Sequence, residues 1–473
     1  MRKLNLAVAI MAVAATAFSA SVARADLDAV AQAMGAGKVD QVQYSGTGFM
    51  FGFGQAYRPG LPWPKLNLVR YTVTDDYAKA GQSFDYTITR ADTLGGTATP
   101  QRGEMRRGGG VAGDAAWAIN YPETDPVRTA AVPLQHDLWI SPHGIVKAAL
   151  TAKAKLTGST FQIEQPGKFK ARATVDAQNL VTKVESWIDT PVLGDTPVIT
   201  TYSDYKDYGG VKFPGRILQS MGGFPVLEMT VTDVKTNTGA VEAPAQIGTV
   251  PQDVKVEKVA EGVWFVSGGT HNSVVIEMKE YFAIVDTPLG DGRANAVIKA
   301  AKELMPNKPF RYLIATHHHF DHFGGARAAA AEGATIVFPD VDKAYFETWY
   351  ANPHTLNPDA LAKSGKKAKF ETYRTSHVIT DGTRRIEIYA IENNIHADGF
   401  EMIYLPKEKI LMLADAFSPR QAAPITKTPA FINPSTRNLW DNIQRRKLTV
   451  ETILPMHGRI GTVAELKVEA GVN

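Results

Sequence analysis

Between Thr316 and Gly325 the chain reads Thr-His-His-His-Phe-Asp-His-Phe-Gly-Gly. In an extended segment the side chains at i and i+2 point the same way. His317, His319 and Asp321 are therefore expected to face one cavity, with His318 and Phe320 turned away. His322 should swing in as the chain turns through Gly324-Gly325 into an alanine-rich helix at 326–331. Imidazole and carboxylate donors together suit zinc and its first-row neighbours. A solvated His-rich loop would account for the histidines alone. It would not account for the Asp-His continuation, the apolar strand-like run at 310–315, or the Gly-Gly helix start.

Four further residues each follow a strand-like run: Asp286 after 284–285, His396 after 386–391, Asp415 after 410–414, and His457 after 453–456. Layered α/β proteins gather functional groups on loops at strand ends. His271 and Asn272 sit in a hairpin-like loop after Gly268-Gly269 and are candidate substrate contacts. Phe320, Phe323, Trp349, Tyr350 and Phe417 flank these segments, and fit core packing as well as a pocket wall.

The elements that must carry these residues fall into two textures. Residues 26–241 hold short alternating runs separated by Gly, Pro, Asn and Asp, the pattern of a mainly antiparallel β domain. Residues 242–253 are Ala/Pro/Gly-rich without periodicity and read as a linker. From 254 to 473 strand-like runs interleave with helical patterns at about 293–305, 341–350 and 437–446, so an α/β layered domain is expected. The glycine- and aromatic-rich stretch 46–60 matches no element.

Bulk properties narrow the classes further. A chain of 473 residues with 44% hydrophobic and 21% charged residues has material for two cores. It has no cysteine, which excludes disulfides, thiolate ligands and a cysteine nucleophile and leaves His and Asp to hold any metal. Residues 1–25 combine Arg2-Lys3, an alanine-rich apolar stretch and Ala23-Arg24-Ala25, the pattern of a cleavable export signal. A bacterial periplasmic or secreted location is therefore expected. This segment carries three cations and no acid, so its removal takes the formal charge of +3 to zero. Nothing then points to a nucleic-acid groove or a polybasic membrane patch, and no later run is apolar enough for a transmembrane segment.

The H-x-H-x-D-H run followed by His396, Asp415 and His457 resembles the signature of the metallo-β-lactamase superfamily. The resemblance covers about 254 to the C-terminus and implies a four-layer αββα sandwich. It implies that His317, His319 and His396 hold a first metal, and that Asp321, His322 and His457 hold a second. Asp415 is implied as a bridging carboxylate and Asp286 as an outer residue steadying the ligand loop. The segment 184–237 resembles, in its strand layout, periplasmic lipoprotein-carrier-like β domains, which would make the first domain a place for a hydrophobic ligand or an oligomer contact.

Three neutral imidazoles leave a coordination position open to water, the condition for catalysis. Two cations sharing a water lower its pKa from about 15.7 to about 7. The leading expectation is therefore an exported hydrolase with two Zn2+, iron or manganese being alternatives. Metal-bound hydroxide, oriented by Asp321, would cleave a small-molecule ester, lactone, thioester or β-lactam amide. A dedicated β-lactamase, an iron-dependent oxidoreductase of the same fold, and a hydrophobic-ligand carrier with an auxiliary metal domain are the competing readings.

Overall fold

The computed structural model of the chain describes residues 26–96, 103–121, 127–247 and 254–472. The expected export signal at 1–25 and residues 248–253 of the expected linker lie outside them.

The described residues of the first domain are built on a twelve-stranded sheet in which every neighbouring pair is antiparallel, beside a two-stranded ribbon of Lys206–Asp207 and Lys212–Phe213. Its central strand Gln41–Phe51 pairs on one side with Lys65–Asp76 and on the other with the last strand, Phe224–Thr236. Chain start and chain end thus meet in mid-sheet. Strand Phe169–Val175 alternates buried and less buried positions, as a strand with one covered face must. That face is covered by the helices Leu27–Met34, Ala131–Ile140 and Pro142–Thr151, whose Val30, Leu138 and Ile145 share one apolar cluster with Phe169, Val184 and Val198. At the far side of the sheet Ile247 and Val241 pack on Trp117, so the start of the expected linker is tied down.

Part of the stretch that matched no element, residues 46–51, completes the central strand. Residues 52–64 form a loop that leaves this sheet and runs to the second domain.

The second domain stacks a seven-stranded sheet, Lys255 to Tyr373, on a six-stranded one, Ser376 to Thr462. The sequence explains why both faces of the first sheet are buried. In Ser273–Glu277, Val274 and Ile276 point into the core between the sheets while Val275 points to the outer helices. The next strand, Phe282–Val285, divides Ala283 and Val285 from Phe282 and Ile284 in the same way. Helices Asp291–Leu304, Ala326–Glu332 and Lys343–Tyr350 cover the first sheet, and Pro434–Arg445 and Val463–Glu469 cover the second. The result is the expected αββα order of layers. Phe323, Trp349 and Phe417 are fully buried in these cores rather than lining a pocket. No helix among the described residues is long and apolar enough to cross a membrane.

Parallel pairing decides where functional groups gather. Phe282–Val285, Phe310–Ile314 and Thr335–Pro339 run parallel, as do Ile410–Leu413 and Thr452–Pro455. Asp286, His317, Asp415 and His457 all follow the C-terminal ends of such strands, the side where open α/β sheets present their loops.

Glu401, at the head of Glu401–Leu405, is fully buried, and its carboxyl oxygens make no hydrogen bond of ordinary geometry. Burial pushes its pKa from 4.5 up to about 8, and the neighbouring buried Asp342 is raised as well. The unfolded chain ionises at the lower value, so between pH 4.5 and about 8 unfolding releases a proton and stability falls as pH rises. Glu401→Gln, a neutral isostere, should therefore stabilise the chain more at pH 8 than at pH 5 in urea unfolding. An equal effect at both pH values would show that Glu401 is already ionised in the folded protein.

Candidate metal centre

His317 and His319 leave strand Phe310–Ile314 in extended chain, on one side as their spacing predicts. Asp321 does not continue the alternation. It lies in a helical turn, Phe320–Phe323, whose His322 and Phe323 amides donate to the His319 carbonyl at 3.1 and 2.9 Å. This turn, rather than an extended run, brings Asp321 and His322 to the same side.

The donors form two groups. His317, His319 and His396 each present one nitrogen within 4.8 Å of the others, and Asp321, His322 and His457 do the same together with His271. Within the first group His317 Nε2 lies 2.8 Å from His319 Nδ1 and 3.1 Å from His396 Nε2. In the second, His322 Nε2 and His457 Nε2 are 3.0 Å apart. Asp415 stands between them. Its Oδ2 is 3.2 Å from His396 Nε2 and 3.0 Å from His322 Nε2, and its Oδ1 is 3.4 Å from His457 Nε2.

Hydrogen bonds on the far side of each ring set which nitrogen faces the cluster. A carbonyl or carboxylate oxygen only accepts, so the ring nitrogen against it must carry the proton. His322 Nδ1 donates to Asp286 Oδ2 at 3.0 Å, and His457 Nδ1 donates to the Thr270 carbonyl at 3.0 Å. His319 Nε2 donates to the Ala56 carbonyl at 3.0 Å. His317 Nδ1 donates to Thr316 Oγ1 at 3.2 Å, and that hydroxyl passes its own proton to Asp286 at 2.7 Å. His317 Nε2 and His319 Nδ1 are left facing one another as lone pairs 2.8 Å apart, which repel unless a cation lies between them. Four ligands around a zinc ion stand ~3.3 Å apart when the bonds are about 2.0–2.1 Å. The residues fit metal ions.

Electrostatics agree. Burial, reinforced by neighbouring imidazoles, holds His317 and His319 well below the ordinary histidine value, in the neutral form a metal requires. Burial would raise Asp415, but His396, His322 and His457 hold it well below the usual carboxylate range. Asp321 is likewise held low against burial, by His322 and His271. Burial would lower His322, yet the Asp415, Asp321 and Asp286 carboxylates overcome it and raise its pKa, so in the metal-free protein this ring holds a proton that a cation would displace.

Asp286 is the hub of the outer layer. It accepts from the Thr316 amide at 2.8 Å, from the Thr316 hydroxyl, and from His322. Its φ of +54° lies in the left-handed region, which Asp and Asn tolerate better than most residues. Asn272, expected as a substrate contact, lines the cavity but gives its amide protons to the Pro455 and Gly458 carbonyls at 3.0 and 2.9 Å. Its chemistry is that of a clamp on the His457 loop. His271 also lines the cavity and lies 3.2 Å from Asp321 Oδ2. His318 is buried and turned away, as expected, with Nε2 on the Ala56 carbonyl at 2.9 Å.

The first domain supplies the rest of the surroundings, and no part of this was visible in the sequence. Gln55 donates its amide to Asp321 Oδ1 at 2.8 Å, and the single Ala56 carbonyl holds both His318 and His319. Phe320 packs edge-on against Phe53 and Trp63. Gly96 approaches so closely that a Cβ there would lie 2.1 Å from His396 Cε1 and 2.4 Å from His319 Cε1. Gln55, Arg90 and Asn120 join His271, His396 and His457 around a cavity of about 1010 Å³ that opens onto both donor groups.

Two clusters of His and Asp, with one carboxylate between them at the strand ends of an αββα sandwich, form a centre able to bind metal ions. Residues 266–457 match the family described as the metallo-beta-lactamase superfamily. The α subunit of 2,4-dinitroanisole O-demethylase from Nocardioides sp. (strain JS1661) is 28% identical over 164 residues, 34% of this chain. The match spans 45% of that relative's length. Among solved structures, a metallo-beta-lactamase from Pontibacter korlensis aligns at 21% identity over 46% of this chain and 98% of its own, with a TM-score of 0.35. The rubredoxin oxygen:oxidoreductase of Desulfovibrio gigas aligns at 16% identity over 46% of this chain and 61% of its own, with a TM-score of 0.37.

Asp286→Asn keeps the backbone preference but removes the charge that orients His322. Outer partners of metal-bound histidines typically contribute about 10- to 100-fold in affinity. The variant should bind its more weakly held zinc ion about 10- to 100-fold less tightly in chelator competition, with its circular dichroism unchanged. Unchanged affinity would remove Asp286 from the metal centre.

Proposed function

We propose that the chain is an exported hydrolase with two zinc ions, acting on a carboxylic ester, lactone, thioester or β-lactam amide. The observation that carries this reading is the pair of donor groups sharing Asp415 at the floor of an open cavity. His317, His319 and His396 would hold one ion and Asp321, His322 and His457 the other, with Asp415 between them. Two divalent ions held there would supply a water made nucleophilic at neutral pH and a Lewis acid for a substrate carbonyl.

The chain's own groups supply the remainder. Asp321, fixed through Oδ1 by Gln55, keeps Oδ2 turned towards the second donor group, where it would accept a hydrogen bond from a bound water and orient it for attack. Asp415 adds negative charge between the two groups, tempering the electrophilicity of both positions. No Ser, Cys or Lys nucleophile is needed. The open and largely polar cavity fits a small polar substrate, and its first-domain walls make specificity a property of both domains.

The test is turnover by the zinc-loaded full chain of nitrocefin, a lactone, a thioester, a p-nitrophenyl ester and 2,4-dinitroanisole, the last because of the relative's name. At least one of the first four should be hydrolysed, and His319→Ala should abolish that activity. Equal rates in the variant would take the metal centre out of the mechanism. Bound iron with oxygen consumption would replace hydrolysis by oxidoreduction.

A further inference from the structure

We propose that His271 is a further protein ligand of the second cation. The inference rests on the two-metal reading above and adds to it a residue outside the H-x-H-x-D-H…H…D…H pattern.

Three observations converge. His271 Nε2, Asp321, His322 and His457 each offer a donor atom, all within 4.8 Å of one another, the same closeness that groups His317, His319 and His396. The individual spacings, 3.2 Å from His271 Nε2 to Asp321 Oδ2 and 3.0 Å from His322 Nε2 to His457 Nε2, match donors around a single ion. Beyond these, the ring carries an outer hydrogen bond as His317, His319, His322 and His457 do: Nδ1 lies 2.7 Å from Thr270 Oγ1, which can accept its proton and leave a lone pair on Nε2.

Asp321 separates this from a simple hydrogen bond. Its Oδ1 is occupied by the Gln55 amide, so Oδ2 is the oxygen left for a metal, and it is Oδ2 that His271 faces. A protonated Nε2 would compete for that oxygen and point its proton at the cation. An unprotonated one joins the set.

The ring is also held in place. The His271 carbonyl accepts from Arg293 at 3.0 Å, the next amide, of Asn272, donates to the Met456 carbonyl at 2.8 Å, and the His271 and His457 rings lie 4.2 Å apart. His271 is 7% exposed. The second position would then be held by His271, Asp321, His322 and His457, with Asp415 3.0 Å from His322 Nε2 and 3.4 Å from His457 Nε2. The first group has three imidazoles beside Asp415.

The test is a long-range 1H–15N correlation spectrum of the full chain labelled at its 11 histidines, recorded without metal and with one and two equivalents of Zn2+. His271→Gln assigns the resonance. In the two-zinc state His271 Nε2 should shift to a metal-bound position together with His322 and His457, with its proton on Nδ1. His271→Gln should also weaken uptake of one of the two zinc ions by tenfold or more. If His322 and His457 shift while His271 keeps its proton on Nε2, it is a donor to Asp321 and the inference falls. If no histidine responds to zinc, the two-metal reading falls with it.

Discussion

The lone pairs of the buried His317 and His319 rings, brought to 2.8 Å of one another, are the constraint on which this structure depends. Such an arrangement is unfavourable in itself, and fixed acceptors hold the opposite nitrogens of His317, His319, His322 and His457. Asp286, Thr316, the Thr270 carbonyl and the Ala56 carbonyl are those acceptors. Asp286 has the largest share, because one carboxylate fixes His322 directly and His317 through the Thr316 hydroxyl. Its left-handed backbone conformation, immediately after a fully buried strand, places its carboxylate beside the metal-facing loop. The sheets make this possible by delivering Asp286, His317, Asp415 and His457 to one edge of two parallel strand sets.

The same constraint makes the two domains one functional unit. The Ala56 carbonyl fixes His319, the Gln55 amide assigns one oxygen of Asp321, and Gly96 leaves room for His396 and His319 where any side chain would collide. Further contacts hold the domains in register. The Arg58 guanidinium pairs with Asp398 at 2.7 Å, Asp195 accepts from the Thr355 and Leu356 amides, and Val192 is buried in the outer core of the second domain. Because the first domain walls the cavity, its twelve-stranded sheet acts as a platform for a loop that the metal centre needs.

Much of the centre was legible because side-chain chemistry at fixed spacing leaves a mark in sequence. His317, His319 and His322, with Asp286, Asp415 and His457 at strand ends, could be read directly. What could not be read was carried by backbone and by packing across domains. A carbonyl such as that of Ala56 has no signature, and Gln55 is one amide in a glycine-rich loop. The strand Met105–Ala112 escaped the sequence reading because it contains Gly108-Gly109-Gly110. Phe84 and Trp117 lie across these glycines, and a Cβ at 109 or 110 would meet their rings at 2.7 and 2.6 Å. The helix Ala131–Ile140 was missed because its apolar residues are not confined to one stripe. Strand alternation in Ser273–Glu277 and Phe282–Val285, by contrast, translated directly into the two buried faces of a layered sheet.

The account stands on two cations lying between these rings, and anomalous diffraction from a crystal of the zinc-loaded full chain, recorded at the zinc edge, tests that most directly. It predicts two peaks per chain, one within bonding distance of His317, His319 and His396 and one within bonding distance of Asp321, His322 and His457, with Asp415 reaching both. A single peak, or peaks elsewhere on the surface with the imidazoles hydrogen-bonded only to one another, would contradict it.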